Sequence, residues 1–447
     1  MPAAPDLDHL QSRAADLVAA ARKAGADAAD AVVAISSSTG VSVREGKVED
    51  TESAQNNSFS LRVFVGARVA SVSANQSDAI PDLAARAVAM AKVAPPDPHA
   101  GLAPKDRLAK NWHDLDLLDE AEPDFDAMRD LALACEEAAL AVDGVTKSSG
   151  AGFGYGLGGS VLATSEGFTG AYSASRFSLS VSAVSGEGTG MERDYDFDSQ
   201  RHFADLRSAE DIGAEAGRRA ARRHGPSTIP TGKVTCLFEP RMARSLVGHL
   251  AGAVNGASIV RGTSFLREKM GKAVFSPGIT ITDDPHIVRG AASRPFDGEG
   301  VGGEAFALVS DGRIANWLLD SGNAKQLDLE TNGRASRGGS STSPSSSNLT
   351  LHPGERTPED MMQAMGTGLL VTELIGQGVS LVTGDYSRGA SGFWIENGEI
   401  AFPVSEITIA SNLTDMFAAL EPASDIDRRQ SIATPSVLIE GMTLAGR

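Results

Sequence analysis

Cysteine is nearly missing: 447 residues carry two, Cys135 and Cys236, far apart and outside any C-x-x-C pair. That excludes a disulfide scaffold and a zinc ribbon. Aromatics are 5% of the chain while glycine contributes 48 residues, so turns and close strand contacts are expected rather than cores built on rings. No run of eighteen apolar residues occurs, which excludes a hydrophobic membrane-spanning helix. The first residues hold no basic cluster, and Asp6, Asp8 and Asp16 interrupt the opening segment. A secretory signal is not expected there, and the cytoplasm is the expected compartment. Positive charge is also short, with 40 Lys and Arg against 58 Asp and Glu, a formal net charge of −18. Such a chain repels phosphate backbones and anionic lipid, so nucleic acid and membrane are poor partners and cationic peptides better ones.

Several catalytic signatures are absent as well. There is no GxxxxGK[ST] and no GxSxG, which removes the phosphate-loop and serine-hydrolase readings. GYGLGG (154–159) matches GxGxxG in letters only. The following SVLATSEG alternates as a strand, where a dinucleotide site needs a helix to open. DYDFDSQRHFAD (194–205) imitates a calcium loop, but Ser199 stands where the turn requires glycine and Arg201 where an apolar residue belongs. An exposed acidic turn is expected there instead.

What is present is a repeated order of elements. Apolar spacing predicts helices over 6–24, 80–94, 124–142 and 204–225. Period-two runs predict strands at 31–36, 40–46, 58–65 and 68–74, then around 145–157, 160–166, 168–174 and 176–184. Helix, several strands, helix thus occurs twice, and the tripeptide Phe-Ser-Leu appears at 59–61 and again at 177–179. This reads as an α+β N-terminal domain over 1–225, helices on an antiparallel sheet, with a weak internal duplication. The texture changes in 226–447, where short strands with glycine-rich turns predict a β-rich C-terminal domain with a few helices, among them 241–258, 357–366 and 411–420. Asn397-Gly398 between alternating apolar residues signals a tight hairpin. GRASRGGSSTSPSSSN (333–348) is expected as a flexible loop.

Two places carry candidate chemistry. The helix SLVGHLAGAV (245–254) holds His249, but Leu250 follows it, and Ala253 and Val254 occupy the fourth and fifth positions beyond it. A zinc-peptidase helix needs a second histidine and a glutamate base on one face. One imidazole among apolar neighbours reads as packed. The stretch 384–410 joins Tyr386, Arg388, Phe393 and Trp394 to close-spaced glycines. It fits either a strand edge that binds an extended peptide or a structural hairpin with a packed tryptophan.

MERDYDF (191–197), SFLREKMGKAVFSPGITITDDP (264–285), RPFDGEGV (294–301) and above all 365–417 resemble the TldD/PmbA family in its PmbA, or TldE, branch. The resemblance is weakest over 1–120. It implies a cytosolic metalloprotease made of a TldD and a TldE chain that trims small or unfolded peptides, including microcin maturation and antitoxin turnover. The TldD subunit carries an HExxxH helix and is expected to hold the zinc. No metal and no catalytic residue is expected in this chain. His249 would be the relic of the first histidine, with Leu250 in place of the glutamate and Val254 in place of the second histidine. Tyr386, Arg388, Trp394 and Glu406 are the residues expected to touch substrate or partner. The implied partners are a TldD-like metal-binding subunit and peptides, with a homodimer as the expectation for the isolated chain. Two alternatives stand beside this: a self-sufficient hydrolase with scattered ligands such as His249, His286 and Asp283, and a non-enzymatic peptide-binding adaptor.

Overall fold

The computed structural model describes residues 5–75, 80–112, 114–338 and 341–446. Residues 1–4 of the opening segment, His113, and Gly339 and Ser340 of the predicted loop lie outside the described residues.

The first half of the chain builds the same unit twice. Helix α1 (Leu7–Lys23) leads into β1 (Ala28–Arg44), β2 (Lys47–Val65), β3 (Arg68–Ala74) and α2 (Ile80–Val93). Then α3 (Phe125–Leu140) leads into β4 (Val145–Thr164), β5 (Thr169–Ser185), β6 (Glu192–Gln200) and α4 (Ala209–Arg222). The six strands form one antiparallel sheet in the order β3-β2-β1-β4-β5-β6, with the two units meeting at the β1–β4 pair. Each unit keeps its own core on the same face of the sheet. Leu10, Ala14 and Leu17 of α1 and the buried face of α2 cover Ala31, Val33, Leu61 and Val63. Met128 and Ala132 of α3 and Ile212 and Ala216 of α4 cover Val41, Phe153, Leu179 and Val181. Phe59 and Leu61 fill in the first core the place that Phe177 and Leu179 fill in the second, so the repeated tripeptide marks a repeated packing role.

The second half begins with β7 (Gly232–Phe238), α5 (Pro240–Ala253) and α6 (Gly256–Val260). Strands β8 (Ile281–Asp284), β9 (Phe306–Ser310) and β10 (Arg313–Ile314) follow, then α7 (Ser321–Gln326), the pair β11 (Ala335–Gly338) and β12 (Ser341–Pro344), and β13 (Asn348–Leu351). The chain ends with α8 (Pro358–Met365), β14 (Gly368–Ile375), β15 (Asp385–Glu396), β16 (Glu399–Asn412), α9 (Leu413–Ala418), β17 (Glu421–Pro422), β18 (Ile432–Ala433) and β19 (Val437–Ala445). One sheet runs β16-β15-β14-β7-β19-β17, and β16 also pairs with β19, so five strands close on themselves. The other runs β10-β9-β8-β13-β18. One face of the closed sheet packs on α5 through Cys236, Phe238, Leu369 and Tyr386; Leu237, Leu370 and Leu438 on the opposite face meet Met361 of α8. The whole is α+β, with helices on an antiparallel sheet first and a β-rich second half.

Local signals of the sequence are realised where the chemistry is local. Asn397 (φ 54°) and Gly398 (φ 81°) make the two-residue turn between β15 and β16, both left-handed as a primed hairpin turn requires. At the start of α8 the Thr357 hydroxyl accepts from the Asp360 N–H while the Asp360 carboxylate accepts from the Thr357 N–H. The helix expected over 241–258 is two, because Asn255 stops α5 and caps α6 by accepting from the Ala257 N–H. The helix expected over 204–225 starts at Ala209, where Ser208 caps it.

Three expectations are corrected. The four short strands over 145–184 are two long ones, β4 and β5. The glycines at 154, 156 and 158 alternate with core residues Phe153, Tyr155 and Leu157 and so continue the strand rather than end it. The acidic turn at 194–205 is in its first half strand β6, with Asp194, Asp196 and Asp198 buried. Arginines from elsewhere neutralise Asp194 and Asp196, Asp198 accepts from the Ser199 and Arg207 N–H groups and from Gln200, and these partners override the low strand preference of aspartate. The flexible loop at 333–348 contains the β11–β12 pair.

What anchors that pair also joins the two halves. On the sheet face away from the helices, Asp30 of β1 and Arg62 of β2 are paired, with Arg62 Nη2 2.5 Å from Asp30 Oδ2. Arg337 of β11 donates to the other oxygen of Asp30, and Glu299 accepts from Arg62 at 3.4 Å. All four side chains are at least nine-tenths buried. The two guanidinium groups hold the Asp30 carboxyl below its usual range against the opposing effect of burial. Nearby, fully buried Arg334 pairs with Asp283 at 2.6 Å. Replacing Asp30 by alanine leaves two buried arginines without their shared carboxylate. The expected cost is about 3–5 kcal/mol of unfolding free energy, read from urea unfolding of the full chain. A loss below about 1 kcal/mol would place this network among surface-like pairs.

Candidate functional site

Helix α5 leaves directly from the end of β7, with Pro240 in its first turn. Its buried stripe is Ala243, Leu246, Val247, Leu250 and Ala253, the spacing of one helical face. His249 stands beside that stripe and is half-buried. Its Nε2 is shielded from solvent and has no hydrogen-bond partner among the described residues. The imidazole meets the ring of Tyr386 on β15 edge-on, with centroids 6.2 Å apart. Tyr386 is 1% exposed, and its hydroxyl also lacks a partner among the described residues. Burial pushes that phenol up from its ordinary value. Arg388 lies two residues along β15, on the same side of the strand, and its Nε donates to the Ile375 carbonyl at 3.2 Å. Burial first, and the Arg388 charge second, push the His249 imidazole below its usual value. The structure therefore brings His249, Tyr386 and Arg388 together.

It does not bring the other two expected residues there. Trp394 lies six residues beyond Arg388 along β15 and packs partly into the main core, opposite Leu369. Glu406 is exposed and left-handed (φ 54°) at a bulge in β16. Its charge acts on Glu192 of β6, which burial raises most and Glu373 and Glu406 raise further, against Arg223. The strand edge sought at 384–410 is occupied: β15 pairs on both sides, β16 pairs with β19 over 408–410, and Ser227 bridges to Val404.

These residues do not fit a catalytic zinc. Leu250 and Val254 are wholly buried in the core. The charge that acts on the imidazole is the Arg388 guanidinium, which repels a divalent cation, and a single imidazole is one ligand of the three a catalytic zinc needs. Among the described residues no group of three His, Cys, Asp or Glu is placed to hold a metal. The scattered-ligand set fares no better. Asp283 is wholly buried and committed to Arg334 and to the Ser347 N–H. Cys236 is buried in apolar surroundings that push its thiol far up, which suits packing and not metal binding. The calcium-like acids of β6 are committed elsewhere: Asp194 pairs with Arg241 at 2.8 Å, Asp196 with Arg207 at 2.6 Å and Arg219 at 3.0 Å, and Asp198 accepts from the Ser199 and Arg207 N–H groups.

That last network escaped the sequence reading. Arg223, at the C-cap of α4, bridges Asp194, Glu192 and Glu373 of β14, and Arg241 of α5 reaches from the second half to Asp194 in the first. Its signal was the alternation of three aspartates in 194–198 together with the arginines closing α4. Such alternation puts every carboxylate on one face of a strand.

Three family descriptions match the chain: PmbA/TldA metallopeptidase domain 1 over residues 29–91, the central domain over 118–223 and the C-terminal domain over 231–446. The metalloprotease PmbA of Escherichia coli O157:H7 is 41% identical over 93% of this chain and 92% of its own. A crystal structure from Bacteroides thetaiotaomicron, described as a putative modulator of DNA gyrase, superposes with a TM-score of 0.90 at 27% identity, covering 98% of this chain and 99% of that one. The crystal structure of TldE from Thermococcus kodakarensis shares the fold, with a TM-score of 0.83 at 20% identity over 97% of this chain and 100% of that one.

The environment of His249 sets a titration. The unfolded imidazole takes its proton near 6.5 and the folded one only at lower pH. The contribution of His249 to stability is therefore full above about pH 6.5 and lost as the pH falls below it. Selective histidine labelling and NMR are expected to show a midpoint below 6.5 that climbs in Arg388→Gln. An unchanged midpoint in that variant would remove the guanidinium from the His249 environment.

Proposed function

The chain belongs to the PmbA/TldA metallopeptidase family, and from that premise we propose that it is the subunit of a two-chain peptidase that carries no metal of its own. Membership gives it a family-level role in peptide hydrolysis. The observation that carries the finer reading is the surroundings of His249: leucine and valine in the core at the two ligand and base positions of an HExxxH helix, and an arginine beside the remaining imidazole. A helix so changed keeps its packing and has no means to activate water.

On this reading a TldD-like partner holds the zinc, which activates a water and polarises the scissile carbonyl when bound there. This chain contributes shape. Its closed five-stranded sheet and α5 form a rigid wall; Arg388 stands beside His249 to contact peptide or partner, while Tyr386, expected in the same role, is buried in the core and backs the imidazole. Holding an unfolded peptide in place at a site built on another chain is positioning, which lowers the barrier through orientation and not through a nucleophile. The net charge of −18 favours cationic peptides and disfavours nucleic acid. No helix among the described residues is long and apolar enough to cross a membrane, in keeping with a cytoplasmic setting.

The test is reconstitution. This chain, a TldD-type chain and their mixture are each assayed for bound zinc and for cleavage of an unstructured peptide. Cleavage by the mixture, with zinc tracking the TldD-type chain, is the expected result. Stoichiometric zinc in this chain alone, with chelator-sensitive cleavage, would overturn the reading.

A further inference from the structure

Strand β2 is longer than its neighbour β3. β3 pairs with Phe59–Val65 only, while β2 begins at Lys47 and pairs with β1 along its whole length. Between residues 47 and 57 the other side of β2 has no strand beside it among the described residues. All eleven of these residues are exposed. Every second one directs its N–H and C=O into the open edge, a row of unpaired backbone groups ready to accept a further strand. The opposite edge of the same sheet is not open in this way: β6 packs under α4, and Arg219 and Arg241 take the Tyr195 carbonyl.

Two features select what such a strand would be. On the helical face a groove of about 600 Å³ runs beside the edge, between Ser53 and Gln55 of β2 and the start of α3. Its floor is apolar, from Phe125, Met128 and Tyr155, and Glu122 and Asp124 stand at its rim. On the other face Asp50 and Glu52 project from β2 itself. The cations of this end of the β1–β2 hairpin, residues 36–57, are Arg44, which pairs with Glu49 at 3.1 Å, and Lys47 at the turn. Charged residues on an edge ordinarily deter pairing with a copy of the same chain. Here the free charge is nearly all negative, so it deters acidic strands and attracts basic ones.

We propose that the free edge of β2 from Lys47 to Asn57 is a docking strand for an extended cationic peptide, which adds to the sheet through backbone hydrogen bonds. Alternate side chains of the added strand fall on the two faces. One set enters the groove over Phe125 and Met128, its basic ends reaching Glu122 and Asp124; the other meets Asp50 and Glu52. Recognition through backbone and charge, without shaped pockets for each residue, suits unfolded peptides of varied sequence. The site requires no metal, no partner subunit and no cleavage, so it stands or falls separately from the two-chain reading.

The test uses the full chain and a capped peptide of alternating lysine and valine, with alternating glutamate and valine as the control. Hydrogen exchange followed by NMR or mass spectrometry is expected to slow across 47–57 at saturating lysine peptide, with every second amide protected. The glutamate peptide is expected to leave exchange unchanged. The double variant Asp50→Lys, Glu52→Lys is expected to weaken binding by about fivefold or more, and added salt to weaken it in the parent chain. Far-UV circular dichroism checks that the variant keeps its strands. Unchanged exchange across 47–57 with the peptide bound would overturn the proposal, as would equal binding of the two peptides. Protection present without peptide and growing with protein concentration would overturn it too, by assigning the edge to a second copy of the chain.

Discussion

A carboxylate shared by two arginines fixes how the halves of this molecule sit together. Asp30 lies in the centre of the first sheet, on the face the helices leave bare, and receives Arg62 from its own sheet and Arg337 from the second half. Burying such charges is expensive, and mutual attraction offsets the expense only when every member is in place. The consequence is an angular constraint. Apolar surfaces tolerate sliding, whereas a guanidinium must meet carboxylate oxygens within hydrogen-bond distance. The Arg223–Glu373 and Arg241–Asp194 contacts set the same constraint at a second place. Two separated ionic anchors fix a relative orientation where one would leave a pivot.

Much of the fold was legible because its signals are local. The helices, the Asn397-Gly398 turn, the Thr357 capping box and the duplicated order of elements all follow from spacing and turn chemistry within a few residues. Where the sequence misled, the deciding partner was distant. Asp194 and Asp196 look like parts of a loop until arginines on α4 and α5 neutralise them. The 333–348 segment looks flexible until Arg334 and Arg337 find Asp283 and Asp30. Pattern reports what a segment prefers; long-range ion pairs decide what it does.

The candidate site was legible in part, for the same reason. His249, Tyr386 and Arg388 converge because a helix following β7 and a strand two places along the same sheet must pack together. Trp394 does not converge because it stands six residues beyond Arg388, roughly 20 Å along the strand, and Glu406 because β16 is bulged where it stands. A bulge has no reliable signature in a single sequence. The 384–410 stretch, which fitted either an open edge or a structural hairpin, is a hairpin of the closed sheet, because β19 returns from the end of the chain to pair with Thr408–Ala410 of β16.

The duplicated first half bears on how the protein is made. Strand β1 lies between β2 and β4, and the Asp30 register is completed by Thr164. During synthesis β2 arrives at once, but β4 follows only after α2, a connector and α3 have been translated. At ordinary ribosomal speed that delay is on the order of ten seconds. Throughout it, a nascent three-stranded sheet shows a bare margin along β1, later the inner seam between the two units. The mature fold hides that margin completely. The growing chain does not, so holding it apart from neighbouring nascent chains falls to the ribosome's surroundings and not to the finished structure.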